Sequence, residues 1–251
     1  MSIVFSIVTS LPLGFAGSTL AESHTPTEST RLKKKHTPSS TYALILANGE
    51  APSKRLIQTL RKNASIFVCA DGGANIAARL NLRPDIIIGD LDSVFATTRE
   101  RFPHAKKIQV SDQNFTDLEK AITYLIDHGQ SNIIVAGGVG KRLDHTMGNV
   151  GALAKFSDRA SISFESDDGS LRYVGRKSEF EYEVGSTVSL IPLTHCDGIT
   201  TSGLQYPLTN ESLELGVRDG TSNRVTASPI SVTVQSGNLL IYLRNETLPS
   251  S

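Results

Sequence analysis

From position 42 onward, short apolar runs alternate with stretches of helical periodicity. The runs cover residues 42–47, 66–70, 86–88, 107–110 and 133–136. Each is too short for a buried helix, is rich in Ile, Leu or Val, and leads into Gly, Asp or Asn, as strands of a parallel sheet covered on both faces do. Between them the spacing predicts helices. The clearest covers residues 117–128, where Leu118, Ala121, Ile122, Leu125 and Ile126 share one face and Thr116 with Glu119 forms a capping box. A second runs from about 144 to 156, with Met147, Val150, Ala154 and neighbours expected inward. After about residue 160 the helical period is lost. Alternation such as Val232-Thr233-Val234-Gln235, a Ser236-Gly237-Asn238 turn and an apolar run at 239–243 predict antiparallel strands. The expected architecture is an α/β domain with a mostly parallel sheet over 42–160, then an antiparallel β-sandwich over 161–246.

Residues 1–41 read differently. Positions 21–41 are rich in Ser, Thr, Pro and charge and carry too little apolar surface to offset the entropy of ordering, so this segment reads as a flexible extension. The apolar start at 3–13 imitates a signal peptide, but no basic residue precedes it, and Ser6, Thr9, Ser10 and Pro12 interrupt a stretch already too short to span a bilayer. Sequons begin at Asn63, Asn114, Asn210 and Asn245; the second would place a glycan within an acidic segment that carries candidate chemistry, which argues against secretion. No membrane association is expected, and the cytoplasm is the expected compartment.

Composition narrows the chemistry. The 251 residues hold 25 basic and 25 acidic side chains, so the positive footprint of a nucleic-acid binder is missing. Cys69 and Cys196 are far apart and outside any C-x-x-C pair, which excludes a disulfide framework and a zinc-finger spacing. Both read as reduced, packed thiols.

The polar residues of the first half gather at the carboxyl ends of the predicted strands, where open α/β sheets bind ligands. Asp71-Gly72-Gly73 follows one run; a tight turn explains it as well as a ligand does. Gly89-Asp90-Leu91-Asp92-Ser93 follows another. In an extended chain Asp90 and Asp92 would face the same side, and two converging carboxylates call for a cation such as Mg²⁺ beside substrate phosphates, the alternative being an Asp-rich turn. In Asp112-Gln113-Asn114-Phe115-Thr116-Asp117, helix capping and the helix dipole account for Thr116, Glu119 and Asp117 without a ligand. The loop from Gly137 through Gly138 and Gly140 to Lys141, Arg142, Leu143, Asp144 and His145 would present backbone amides and positive charge to an anion. It is neither the dinucleotide fingerprint nor a Walker A loop, since Leu143 and Arg142 stand where those need Gly and Ser or Thr. Together these segments supply Asp71, Asp90, Asp92, Asp117 and Asp144 along one sheet edge with a basic glycine loop, the set that metal-dependent phosphoryl transfer requires. No G-x-S-x-G elbow is present.

Five motifs in order, CADGGAN (69–75), PDIIIGDLDS (84–93), DQNFTDLEKAI (112–122), GGVGKRLDHTMGN (137–149) and GTSNRV (220–225), make the chain resemble the thiamine pyrophosphokinases over residues 42–243. The resemblance implies transfer of a pyrophosphoryl group from ATP to the hydroxyl of thiamine, by attack at the β-phosphorus, and a homodimer of an α/β nucleotide-binding domain joined to a thiamine-binding sandwich. It further implies Mg²⁺ on Asp71, Asp90, Asp92 and Asp117, nucleotide phosphates near Gly72, Gln113, Thr116, Gly138, Gly140 and Lys141, Arg142 and Asp144 completing the catalytic set, and thiamine contacts from Ser222 and Asn223 across the dimer interface. Two features depart from the family: the chain has no Trp for the thiamine wall, and Lys141 stands where a second glycine is usual. The competing readings are a pyrophosphokinase for another alcohol, such as a hydroxymethylpterin, and a non-catalytic nucleotide or thiamine sensor.

Overall fold

The structure, a computed structural model, describes residues 41–245; the expectations made for 1–40 lie outside the described residues. The apolar runs are strands β1 (Tyr42–Leu46), β2 (Ala64–Ala70), β3 (Ile86–Gly89), β4 (Lys106–Gln109) and β5 (Asn132–Ala136). Ala43 to Leu46 and Phe67 to Cys69 are fully buried, as strands covered on both faces must be. They pair in parallel in the order β5-β1-β2-β3-β4. Helices α1 (Lys54–Asn63), α2 (Gly73–Arg79) and α3 (Ala96–Arg101) and helices α4 (Asp117–Asp127) and α5 (Leu143–Lys155) make the crossovers. One face of the sheet packs Leu44, Phe67 and Ile87 with Ile57 and Ile76 of the first group and with Phe102, which follows α3. The other packs Ile45, Val68 and Ile133 with Leu118, Ile122, Leu125 and Leu153 of the second.

The chain leaves β1 toward β2, β3 and β4 and then returns to its other side at β5. That reversal is a topological switch point, and it opens a crevice at the carboxyl ends of the strands. Every loop singled out above for its chemistry ends there.

Strand β6 (Ser161–Glu165) extends the parallel part beside β5. The alternating pattern had placed this segment among the antiparallel strands, because side-chain period reports burial and not strand direction. From β7 (Gly169–Val174) the pairing is antiparallel. Strands β8 (Lys177–Phe180), β9 (Thr187–Pro192), β10 (Cys196–Ser202), β11 (Glu211–Leu213), β12 (Gly220–Arg224), β13 (Ile230–Thr233) and β14 (Leu239–Arg244) complete the fold. β7, β14, β9 and β12 continue the same sheet to ten strands, and β11-β10-β13-β8 form a second sheet. Val188, Leu190, Leu239 and Ile241 of the first meet Ile199, Leu213, Ile230 and Val232 of the second in a core of their own. The α/β half followed by a β-sandwich is thus present, and one continuous sheet runs through both. Cys69 and Cys196 are free and buried. No helix among the described residues is long and apolar enough to cross a membrane.

Candidate active site

Asp71 is the first residue beyond β2. It sits at φ 41°, its amide donates to the Ile88 carbonyl at 2.8 Å, and it is buried. Its Oδ1 has no hydrogen-bond partner among the described residues, and buried carboxylate oxygens are rarely left so. Burial pushes the Asp71 carboxyl above its ordinary value, and the neighbouring Asp117 and Asp90 charges push the same way. Gly89 explains how these groups come so close. A Cβ there would stand 2.8 Å from Asp71 Cβ and 3.1 Å from Asp117 Oδ1, at a φ of 154° that side chains resist.

Asp90 and Asp92 do converge with Asp71: one ligand oxygen from each lies within 4.8 Å of the others. The extended chain expected there is not the cause. Leu91 takes φ 67°, and the Asp92 amide donates to Asp90 Oδ1 at 3.2 Å, so a turn brings the two carboxylates together. Ser93 Oγ donates to Asp92 Oδ1 at 2.9 Å, and the Arg99 guanidinium donates to the Leu91 carbonyl.

The capping box of α4 is complete. The Glu119 amide donates to Thr116 Oγ1 at 3.2 Å and the Thr116 amide to Glu119 Oε2 at 2.9 Å. Glu119 Oε1 also meets Lys155 Nζ at 2.6 Å, and that ammonium lies 4.7 Å from the centre of the Phe115 ring. The box therefore fixes the loop whose next residue is Asp117. Lys120, one turn on, donates from Nζ to Asp117 Oδ1 at 3.0 Å.

The glycine loop closes over β1. The Gly49 and Glu50 amides donate to the carbonyls of Gly137 and Val139, both at 2.7 Å. Contrary to expectation, not all of its amides face an anion: that of Gly140 donates to Thr146 Oγ1 at 3.0 Å. Lys141 keeps the left-handed φ of 60° that a glycine would favour, and its Nζ donates to Asn48 O at 3.0 Å and Oδ1 at 3.3 Å. Arg142 donates from Nε and Nη2 to the two oxygens of Asp144, at 3.1 and 2.5 Å. That fork holds the Asp144 carboxyl down to about 2.

One cavity of about 570 Å³ gathers these groups. Asp71, Asp90, Asp117, Gln113, Thr116, Gly140, Lys141, Arg142 and Asp144 line it, with Asn48, Ser93, Lys120 and Asn149, which sequence reasoning passed over. Asp92 stands beside the cavity in the carboxylate cluster. Gly72 and Gly138 do not line it: a Cβ on Gly72 would strike Asn48 Nδ2 at 2.3 Å, and the Gly138 carbonyl accepts from Asn149 Nδ2 at 2.7 Å. A larger cavity of about 720 Å³ against β5 to β8 has Glu179 as its single acidic residue and none of the residues above.

Ser222 and Asn223 are not part of this site within one chain. They lie on β12, the outer strand of the ten-stranded sheet, seven strand spacings from β2, on the order of 30 Å. Ser222 takes φ 57°, and Asn223 Oδ1 and Nδ2 bond the backbone of Tyr206 at 3.0 and 2.7 Å.

Comparisons with known proteins bear on both halves. Residues 57–164 match the family described as "Thiamin pyrophosphokinase, catalytic domain", and residues 177–239 match "Thiamin pyrophosphokinase, vitamin B1 binding domain". The chain is 32% identical over 238 residues to thiamine pyrophosphokinase 1 of Oryza sativa subsp. japonica, covering 82% of this chain and 89% of the relative. Against thiamin pyrophosphokinase 1 of Caenorhabditis elegans it is 31% identical over 215 residues, 79% and 86% of the two chains. The solved thiamine pyrophosphokinase of Bacillus subtilis superposes with a TM-score of 0.71 over 82% of this chain and 99% of that one. At 22% identity this likeness shows the fold.

Proposed function

The chain belongs to the thiamine pyrophosphokinase family and is a thiamine diphosphokinase, and we propose that its carboxylate-lined cavity is where the pyrophosphoryl group of ATP passes to thiamine. The gathering of Asp71, Asp90, Asp117, Gln113, Thr116, Lys141, Arg142 and Asp144 around one cavity carries this reading. In the reaction the hydroxyl oxygen of thiamine bonds to the β-phosphorus and the bond from that phosphorus to the α–β bridging oxygen breaks. AMP leaves with the electron pair, and the hydroxyl proton is lost to solvent.

Asp71, Asp90 and Asp92 fit a divalent cation, being hard oxygen donors within 4.8 Å of one another and including the orphaned Asp71 Oδ1. In this reading they and Asp117 hold Mg²⁺, which when bound offsets charge on the phosphate oxygens. Thr116, fixed by the α4 capping box, and Gln113, three residues before it on the cavity wall, orient the phosphate tail. Lys141 and Arg142 meet its negative charge, while Gly140, whose missing Cβ clears Glu50, lets the loop carrying them close on Gly49 and Glu50. A carboxyl held at about 2 is a poor proton acceptor, so Asp144 is read as the group that aims Arg142 and not as the base.

Ser222 and Asn223 lie too far along the sheet to reach the cluster of their own chain, which supports a homodimer in which they face the partner's cavity. In this reading the cytoplasm, where ATP is supplied, is the enzyme's compartment. Purified protein with ATP and Mg²⁺ should release AMP only when thiamine is added. Release with a hydroxymethylpterin instead would sink the thiamine assignment, and binding without release would favour a sensor. Asp92→Asn keeps the shape of the side chain and removes a ligand charge. It should lower kcat at least about a hundredfold with the thermal midpoint within a few degrees of wild type, and wild-type turnover would remove Asp92 from the site.

A further inference from the structure

Lys120 stands out among the residues lining the cavity because its side chain is only 4% exposed, whereas Lys141 and Arg142 lie open to solvent. A buried ammonium is costly unless it is paired, and an apolar residue would serve the packing of α4 better. Its one hydrogen-bond partner among the described residues is Asp117 Oδ1 at 3.0 Å, so one of three donor positions on Nζ is spent there. Asp117, which neighbours Asp71 across Gly89, is thus paired with a buried ammonium, while the exposed Arg142 of the same cavity pairs with Asp144.

Resting on the reading of this cavity as a divalent-ion and phosphate site, we propose that Lys120 is a positioning residue that serves as the site's resident cation. It holds Asp117 in place and offsets part of the carboxylate charge, so that a polyphosphate tail can enter. The cost is a weaker grip on the divalent ion in the nucleotide-free protein. Two opposed effects follow from one charge, and a residue that merely supports the fold would not produce them.

The test measures Mn²⁺ binding to nucleotide-free protein by electron paramagnetic resonance of the free ion, together with KM and kcat for ATP. Lys120→Met should bind Mn²⁺ about tenfold tighter, since a repelling charge a few ångströms away has gone, while KM for ATP rises about tenfold and kcat falls. Lys120→Gln, which can still donate to Asp117, should move both quantities in the same directions and keeps the test valid if Lys120→Met does not fold. Lys120→Arg should return Mn²⁺ affinity to within about twofold of wild type. Unchanged or weaker Mn²⁺ binding in the folded charge-removing variants overturns the role of Lys120, provided wild type binds the ion and Asp92→Asn loses it. If wild type does not bind Mn²⁺, or Asp92→Asn binds it equally well, the premise of a divalent-ion cluster has failed and the proposal fails with it.

Discussion

Gly89 shows how much of the site depends on a side chain that is missing. With Asp71 Cβ 2.8 Å and Asp117 Oδ1 3.1 Å from where a Cβ would sit, Gly89→Ala must push two of the four carboxylates apart. It should cost about 1–3 kcal/mol of stability through its φ of 154°, readable in a urea melt, and a larger factor in turnover, at least about a hundredfold. Activity that fell only in proportion to the folded fraction would show that the spacing does not matter. Asp71 and Asp90 were legible in the sequence because an acid directly after a buried strand must either bind something or be capped. Asp92 was legible for a different reason than the true one, since Leu91 turns the chain and an extended segment was assumed. Lys120 and Asn48 were not legible. A lysine three residues after an aspartate on a helix reads as a solvent-facing pair, and an asparagine after a strand reads as a turn; only the tertiary packing buries the first and aims the second.

At the scale of an element, α4 was placed correctly because its start is written twice, in the apolar period and in the Thr116–Glu119 box. That box is also the mount for Asp117. Thr116→Ala should lower stability by about 1 kcal/mol and raise KM for ATP, whereas Thr116→Ser, which keeps the acceptor for the Glu119 amide, should restore both. A Thr116→Ala enzyme with normal KM and a normal denaturation midpoint would sever the link between cap and site. For α5 the start was found, but the buried face was misjudged at Met147, whereas Val150 does pack against the core beside Leu153. Met147 is 54% exposed, Val150 and Ala154 are only half-buried, and the buried residues are Ala152 and Leu153. The helix carries apolar residues on two sides, with Gly148 and Gly151 between them, and periodicity alone cannot say which side a single chain covers.

For the whole molecule, that misjudgement and the position of β12 concern the same question. Leu143 is 76% exposed and Met147 54%, on the helix that borders the cavity, and Tyr206, Leu215 and Val217 near β11 and β12 are each more than 60% exposed. Apolar groups left open at both places suit an interface between copies, which would bury them. The expected arrangement, with Ser222 and Asn223 of one copy facing the carboxylates of the other, predicts complementation between defects. Asp92→Asn and the double variant Ser222→Ala/Asn223→Ala should each be nearly inactive with saturating ATP and limiting thiamine. When they are co-expressed and assembled at random, half of the dimers are mixed. Each mixed dimer has one cavity with intact carboxylates facing an intact Ser222 and Asn223, and another in which both are defective, so activity should recover to about a quarter of wild type. If both sets of residues served one cavity within a single chain, no mixed dimer would contain an intact site and activity would stay near zero. Light scattering on the same samples separates the two failures: a monomer overturns the assembly, and a dimer without recovery overturns the sharing of residues across it.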